Sequence, residues 1–302
     1  MDDYVRTSQA IINGKAAPDD TYGNIVSLSV KKENTYSSFC SGVLIEKDAV
    51  LTAAHCVLDS DDLPVSELLT QNKVFIVIAP NAETPALDRV FEIETTIPHS
   101  LYDEKEYTHD LAIIKLKTPV PDTLATPIEY LKDKYELRKM VRNTSQVEFV
   151  GFGLDEQNNY SQRLTVDGKV SHSCTMLNNT DSDGCLITVM NGLSFMLPAG
   201  AMYFYIEKGG PCFGDSGGPV LVDNDGQKLL IGITSYGDEN CNIYNVSSAV
   251  PDHEKWIDDT LHPKGGCSAL PQTHQNSLFA LILSLLCLAA LFVMRMTKNT
   301  IN

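Results

Sequence analysis

Residues 210–220 read GPCFGDSGGPV, which sets Ser216 in a run holding four glycines, just ahead of the β-branched stretch Val220-Leu221-Val222. The glycines flanking Ser216 let the backbone bend so that the amides of Gly214 and Ser216 converge on one point. A developing oxyanion there would gain ~2.7–4 kcal/mol per donor. Serine needs a base to become a nucleophile at neutral pH, and the base needs a carboxylate to hold its tautomer and stabilise the imidazolium. Both residue types stand upstream. LTAAHC (51–56) carries His55, and THDLAIIKL (108–116) puts Asp110 at the head of an apolar strand.

Taken together, these segments resemble the chymotrypsin/trypsin family of serine endopeptidases over nearly the whole span 11–261, in the family's order His, Asp, Ser. The resemblance implies an all-β fold of two six-stranded antiparallel barrels with a C-terminal helix. It implies an exported endopeptidase that works through an acyl-enzyme and acts on protein or peptide substrates. Carried over residue by residue, Ser216 is the nucleophile, His55 the general acid and base, Asp110 the orienting carboxylate, and the Gly214 and Ser216 amides the oxyanion donors. The resemblance also pairs Cys40 with Cys56, Cys174 with Cys185 and Cys212 with Cys241. Each bridge is expected to stabilise by ~2–4 kcal/mol.

Activation in this family is a cut before an Ile-Ile or Ile-Val pair, which here would free Ile11 to pair with Asp215. Ala10 stands before that bond, where the family has Arg or Lys, and the nearest basic residue is Arg6. A different activating protease, or trimming after a cut at Arg6, is therefore expected. For specificity, the position six before the serine is Gly210, where trypsin has an aspartate. Small or medium apolar P1 side chains are expected, between walls formed by Ser235, Tyr236 and Gly237. Asn245 lies near the other floor position, and Asp238 and Glu239 on the rim are the residues that would serve a basic P1.

GDSGG also satisfies the G-x-S-x-G nucleophile elbow of α/β-hydrolases. That fold needs the acid and the histidine after the serine and a helix after the elbow. Here GPVLV is β-branched, and the later histidines are His253, His262 and His274. A second reading belongs to a different class, a catalytically silent binding or adhesion module on the same barrels. Intact His55, Asp110 and Ser216 favour the enzyme. His99, His109 and His172 read as surface or hydrogen-bonded histidines. No ligand cluster implies a cofactor or metal.

The composition agrees with an exported globular domain. Of 302 residues, Lys+Arg number 23 and Asp+Glu 39, giving a net charge of −16, a poor match to nucleic-acid phosphates. Hydrophobic residues at 43% and charged residues at 21% exclude disordered and fibrous classes. The eight cysteines include no CxxC pair, so disulfides in an oxidising compartment are favoured over structural zinc, with buried free thiols the alternative.

Short β-branched and aromatic runs at 23–30, 72–79, 111–116, 146–153, 201–207 and 229–237 predict strands. Asp-Gly pairs at 167–168, 183–184 and 225–226 predict turns, and 130–140 and 251–261 predict helices. Residues 1–10 (MDDYVRTSQA) read as a residual pro-segment without signal-peptide character, so the export signal is expected to be missing from this stretch. Residues 11–262 form the expected protease domain and 263–276 a linker or processing site. Residues 277–294 (SLFALILSLLCLAALFVM) carry no charge and as a helix would span roughly 27 Å, enough to cross a bilayer. The basic tail 295–302 would then be cytoplasmic, with the protease on the outer face, anchored or cut free. Gly265-Gly266 ahead of this segment resembles the Gly-Gly sorting tails of secreted bacterial proteins. Cys267 and Cys287 belong to this tail and have no evident partner in the barrels.

Overall fold

The computed structural model describes residues 11, 14–60, 63–153, 161–176, 184–189, 192, 194–206 and 209–263. The chain divides into two compact units, Met1–Thr260 and Leu261–Asn302, and nearly all described residues fall in the first. Among the described residues no helix is long and apolar enough to cross a membrane. The expected membrane segment 277–294, its Gly-Gly site, the pro-segment 1–10 and the turn at Asp183 lie outside them.

The first barrel uses β2 (Ile25–Lys32), β3 (Thr35–Glu46), β4 (Ala49–Thr52), β5 (Val74–Val77), β6 (Val90–Pro98) and β7 (Ala112–Leu116); a short strand β1 (Lys15–Ala16) precedes it. Its antiparallel strands close in the order β2-β3-β4-β7-β6-β5, with Ile25 opposite Val43 and Ser27 opposite Val77. Ile25, Val43, Leu51, Ile76 and Ile113 are wholly buried inside it. Each such side chain contributes about 1.5–3 kcal/mol of burial.

The second barrel uses β8 (Gln146–Gly151), β9 (Leu164–Cys174), β12 (Ala201–Tyr205), β13 (Pro219–Asn224), β14 (Gln227–Gly237) and β15 (Tyr244–Ala249). A separate hairpin joins β10 (Cys185–Thr188) to β11 (Ser194–Leu197). The barrel runs β9-β12-β15-β14-β13-β8 and closes by pairing β8 back on β9, while β1 adds to the outer edge of β9. Phe149 and Phe204 meet edge to face at 4.9 Å in its core, with Val147, Val170, Met202, Val220 and Ile231 around them. Two closed six-stranded barrels are therefore present, as the resemblance implies.

The helices are α1 (Asp19–Tyr22), α2 (Val65–Thr70), α3 (Lys134–Arg142) and α4 (Glu254–Leu261). Helix α3 starts four residues later than expected, because Asp133 caps it by accepting from the Tyr135 amide at 2.7 Å. Before α4, Pro251 sits in a single 3-10 turn, Val250–Asp252, rather than in the helix. Asp225-Gly226 makes the expected hairpin turn, with φ of 54° and 86°, as a two-residue loop of primed type requires. Asp167-Gly168 does not turn. It lies inside β9, where a Cβ on Gly168 would stand 2.7 Å from the Phe149 ring, so the glycine is there for close packing.

Three disulfides form, Cys40–Cys56, Cys174–Cys185 and Cys212–Cys241. The first ties β3 to the turn that bears His55. Replacing both Cys40 and Cys56 by serine is expected to cost about 3 kcal/mol for a loop of this length. In a domain of this size that lowers the melting temperature by roughly 6–12 °C, which a thermal unfolding scan of the two proteins measures.

Candidate active site

The site lies between the barrels and draws on both. His55 sits on a one-turn 3-10 helix, Ala54–Cys56, directly after β4, and Asp110 immediately precedes Leu111 and β7. Pairing of β4 with β7 sets Thr52 opposite Ala112 and so brings the two together. The Asp110 carboxylate is fully buried and saturated with donors. The His55 amide reaches Oδ1 at 3.0 Å, His55 Nδ1 lies 2.8 Å from Oδ2, and the Ser235 hydroxyl donates to Oδ2 at 2.5 Å. Burial pushes the Asp110 pKa up, but the His55 charge and these hydrogen bonds outweigh it and hold the carboxyl below its ordinary value. Burial pulls the His55 pKa down, yet the Asp110 charge and hydrogen bond leave it above the ordinary 6.5. The imidazole is thus oriented by its backbone, its ring nitrogen and a buried anion, with its other nitrogen free to face the cavity.

Ser216 reaches the same cavity from the second barrel, its hydroxyl donating to the Ser235 carbonyl at 3.5 Å. One residue of the first barrel stitches this loop in place. Ser41 on β3 donates its amide to the Ser216 carbonyl at 2.8 Å and its hydroxyl to the Gly214 carbonyl at 2.9 Å, and accepts from the Phe152 amide at 2.9 Å. Gly217, at φ +81°, passes so close to Thr52 Oγ1 and the Ser41 carbonyl that a Cβ would stand 2.1 and 2.3 Å from them. The Asp215, Gly217 and Gly218 amides donate to Cys212, Thr234 and Asp215 carbonyls. The amides of Gly214, at φ +93°, and Ser216 make no such bond among the described residues, which suits the oxyanion role expected of them.

Asp215 points away from the cavity into the protein. Among the described residues its carboxylate accepts from two backbone amides, Gly153 on Oδ1 and Cys212 on Oδ2, each at 2.9 Å, and burial pushes its pKa up to about 7. Gly151 and Gly153 leave the room for it, since a Cβ on either would collide with the carboxylate. Ile11 is buried with 1% exposure. Among the described residues no cation pairs with Asp215.

The cavity encloses about 310 Å³, lined by Ser216, His55, Pro211 to Phe213, Thr234 to Glu239, Cys241 and Asn245, with Tyr107 at its edge. Ser235, Tyr236 and Gly237 line it where the sequence expected walls. Gly210 lies outside the lining, where a Cβ on it would stand 3.0 Å from the Ile206 side chain. Asn245 is the residue the spacing left unresolved. It is 2% exposed, donates through Nδ2 to the Tyr236 carbonyl at 3.1 Å and accepts from the Ser247 hydroxyl at 2.8 Å. Asp238 is occupied with its own loop, accepting from the Ile243 and Tyr244 amides on Oδ1 and the Asn240 and Asn242 amides on Oδ2.

Two features escaped the sequence. Tyr107, held at φ +51°, sets its ring edge-on to His55 at 6.0 Å and tilted against Tyr236 at 5.2 Å. His99 and His109 are buried rather than at the surface, stacked at 4.7 Å, with His253 edge-on to both and Trp256 against His99. His99 is hydrogen-bonded, accepting from the Leu101 amide. Burial and the neighbouring imidazoles pull His99 down to about 3, and burial pulls His253 down to about 4. Both stay neutral near pH 7. His172 is partly buried, 5.9 Å from the Tyr203 ring. Cys40, His55 and Cys56 cluster as metal ligands do, but the two sulfurs are joined and no thiolate remains to bind.

The sequence profile of the family described as Trypsin matches residues 11–257. Tissue-type plasminogen activator of Homo sapiens and that of Pongo abelii are each 29% identical over 251 residues, covering 74% of this chain and 39% of their own. This chain thus spans about two-fifths of the length of those relatives. Granzyme M of Rattus norvegicus is 29% identical over 264 residues, covering 83% of this chain and 89% of its own.

Proposed function

The chain belongs to the trypsin family, and on that premise we propose that residues 11–262 are an active, exported serine endopeptidase cutting after small or medium apolar residues. The observation that carries the reading is the 2.8 Å contact between His55 Nδ1 and the buried Asp110, on a cavity that Ser216 shares. In the reaction, His55 Nε2 takes the Ser216 hydroxyl proton as Oγ attacks the scissile carbonyl carbon. The carbonyl oxygen, now an anion, accepts from the Gly214 and Ser216 amides. His55 then returns the proton to the leaving amine, which breaks the peptide C–N bond and leaves an acyl ester on Ser216. Water, deprotonated by His55, hydrolyses that ester, and the proton restores the serine hydroxyl.

Three observations support the apolar P1. No acid stands at Gly210, Asp238 is consumed by four backbone amides, and Asn245 fills the space beside Gly237 with both ends of its amide engaged. Glu239 also lines this cavity but is exposed, so a lysine or arginine entering it would lose its hydration without gaining a buried partner. Activation follows the family: a cut before Ile11 frees an ammonium, and Asp215, buried and without a cation among the described residues, is its acceptor. Three disulfides favour export into an oxidising compartment. Residues 277–294 are proposed as a membrane segment that follows the protease domain and its linker, with processing at the Gly-Gly site.

The test uses the full chain cut before Ile11, a fluorophosphonate probe and a peptide library varied at P1, with Ser216→Ala as control. Labelling on Ser216 and cleavage after Ala, Val or Leu are expected, both absent from the control. Cleavage after Arg or Lys would overturn the pocket reading while keeping the protease. Absence of labelling and of cleavage would sink the enzyme and favour a binding module.

A further inference from the structure

Ser41, in the middle of β3, is wholly buried, and each of its polar groups is in use. Its amide donates to the Ser216 carbonyl at 2.8 Å, and its carbonyl accepts from the Thr52 hydroxyl at 2.7 Å. The two bonds of its own hydroxyl have a forced direction. The Phe152 amide can only donate and the Gly214 carbonyl can only accept, so Oγ accepts from the first and gives its single proton to the second, each at 2.9 Å.

The serine loop has little means of holding its own shape. Gly214, Gly217 and Gly218 carry no side chain, and Gly214 at φ +93° and Gly217 at φ +81° rotate at small steric cost. The Gly214 carbonyl and the Asp215 amide share one peptide plane. The amide end of that plane is pinned to the Cys212 carbonyl at 3.0 Å, and the oxygen end, among the described residues, by the Ser41 hydroxyl. Fixing the plane at both ends fixes the torsion that leads back from it to the Gly214 amide. The same Phe152–Gly153 segment that orients the Ser41 hydroxyl also holds the Asp215 carboxylate, through the Gly153 amide.

We propose that Ser41 is a positioning residue for the oxyanion hole: its hydroxyl holds the Gly214 carbonyl, so that the Gly214 amide stays aimed at the substrate oxygen as that oxygen becomes an anion. This rests on the enzyme reading given above. Without the hydroxyl, the oxygen end of the plane loses its donor and the Phe152 amide loses its acceptor, and the glycine backbone is free to turn. Losing an oxyanion donor outright costs about 10²–10³ in kcat, and a misaimed donor loses part of that, so Ser41→Ala is expected to lower kcat about 10- to 100-fold. Ser41 does not line the cavity, so KM should stay within about twofold of wild type.

The experiment uses the full chain cut before Ile11, as wild type and as Ser41→Ala, each titrated to its endpoint with a fluorophosphonate so that rates refer to competent sites alone. Two inhibitors share one peptide ending in the P1 residue that the wild type prefers; one is the aldehyde, the other the corresponding alcohol. Ser216 Oγ adds to the aldehyde carbon, its proton passes to His55, and the aldehyde oxygen becomes an anion in the hole. The alcohol fills the same subsites and forms no oxyanion.

The expected result is an aldehyde Ki raised by the factor by which kcat/KM falls, with the alcohol Ki and the acid midpoint set by His55 both unchanged. These are ratios within the titrated sites, so a variant that folds only in part still yields them. Wild-type kcat and aldehyde Ki in Ser41→Ala, equal weakening of both inhibitors, or a shifted acid midpoint would each overturn the proposal. A wild type that neither labels nor cleaves would refute the enzyme reading itself, and the Ser41 assignment with it.

Discussion

Replacing Asp110 by asparagine is expected to lower kcat by about 10⁴-fold while the chain stays folded. The Asp110 oxygens accept from three donors, the His55 amide, His55 Nδ1 and the Ser235 hydroxyl. An amide of the same shape fills the same space but can accept at only one oxygen, so its NH2 group faces a donor. The cheapest relief is for His55 to move its proton to Nε2 and accept from the asparagine. That tautomer presents a proton to Ser216 instead of taking one. The pH profile gives an independent readout. His55 must be neutral to act as base, and its pKa stands above 6.5 because Asp110 is charged. Activity of the wild type therefore rises with pH through a midpoint above 6.5. In the asparagine variant burial is no longer opposed by the anion, so that midpoint moves to lower pH. Steady-state kinetics from pH 5 to 9 on both proteins measure the two effects. A variant with wild-type kcat would remove His55 and Asp110 from the chemistry.

Asn245→Gly is expected to open the cavity and change P1 preference by about 10–200-fold in the ratio of kcat/KM for Phe over Ala. The Asn245 side chain is tied to the wall strand through the Tyr236 carbonyl and to Ser247, so it cannot swing aside for a large P1 group. Its Nδ2 lies 3.8 Å from where a Cβ on Gly237 would stand, which places it beside the substrate-facing wall. Glycine removes the obstruction, and the freed Tyr236 carbonyl remains reachable by water in the widened space. Small P1 substrates lose little, since they never filled that volume. A ratio unchanged from wild type would show that Asn245 does not bound the pocket, leaving Gly210 and the Pro211–Phe213 segment as its limit.

Much of this was legible in the chain because its chemistry is local. GDSGG, TAAHC and the Asp110 strand each fit within a few residues, and the barrels bring them together. Strands such as Ala112–Leu116 announce themselves through a short apolar run centred on two β-branched isoleucines, Ile113 and Ile114. Thr35–Glu46 was silent because it is rich in serine. Ser38 and Ser41 are buried there, yet satisfied by the Ser27 hydroxyl and by the serine loop, which no linear pattern reveals. Leu164–Cys174 was obscured by an Asp-Gly pair whose glycine serves packing instead of turning. Asn245, Tyr107 and the cluster of His99, His109 and His253 depend on partners more than a strand away. Their roles come from three-dimensional pairing, which the linear order of the chain does not display.

The two barrels also divide the labour. On the proposed mechanism, proton handling would reside in the first, where His55 and Asp110 flank the β4–β7 ladder, and bond making and recognition in the second, with Ser216, the Tyr236 wall, Asn245 and the Cys212–Cys241 bridge. Each barrel closes its own hydrogen-bonded ring, and among the hydrogen bonds that cross between them at the site are those of Ser41 on one side and Ser235 on the other. A lineage of such molecules could therefore drift in what it cuts by altering second-barrel loops, while the machinery that moves the proton was inherited untouched.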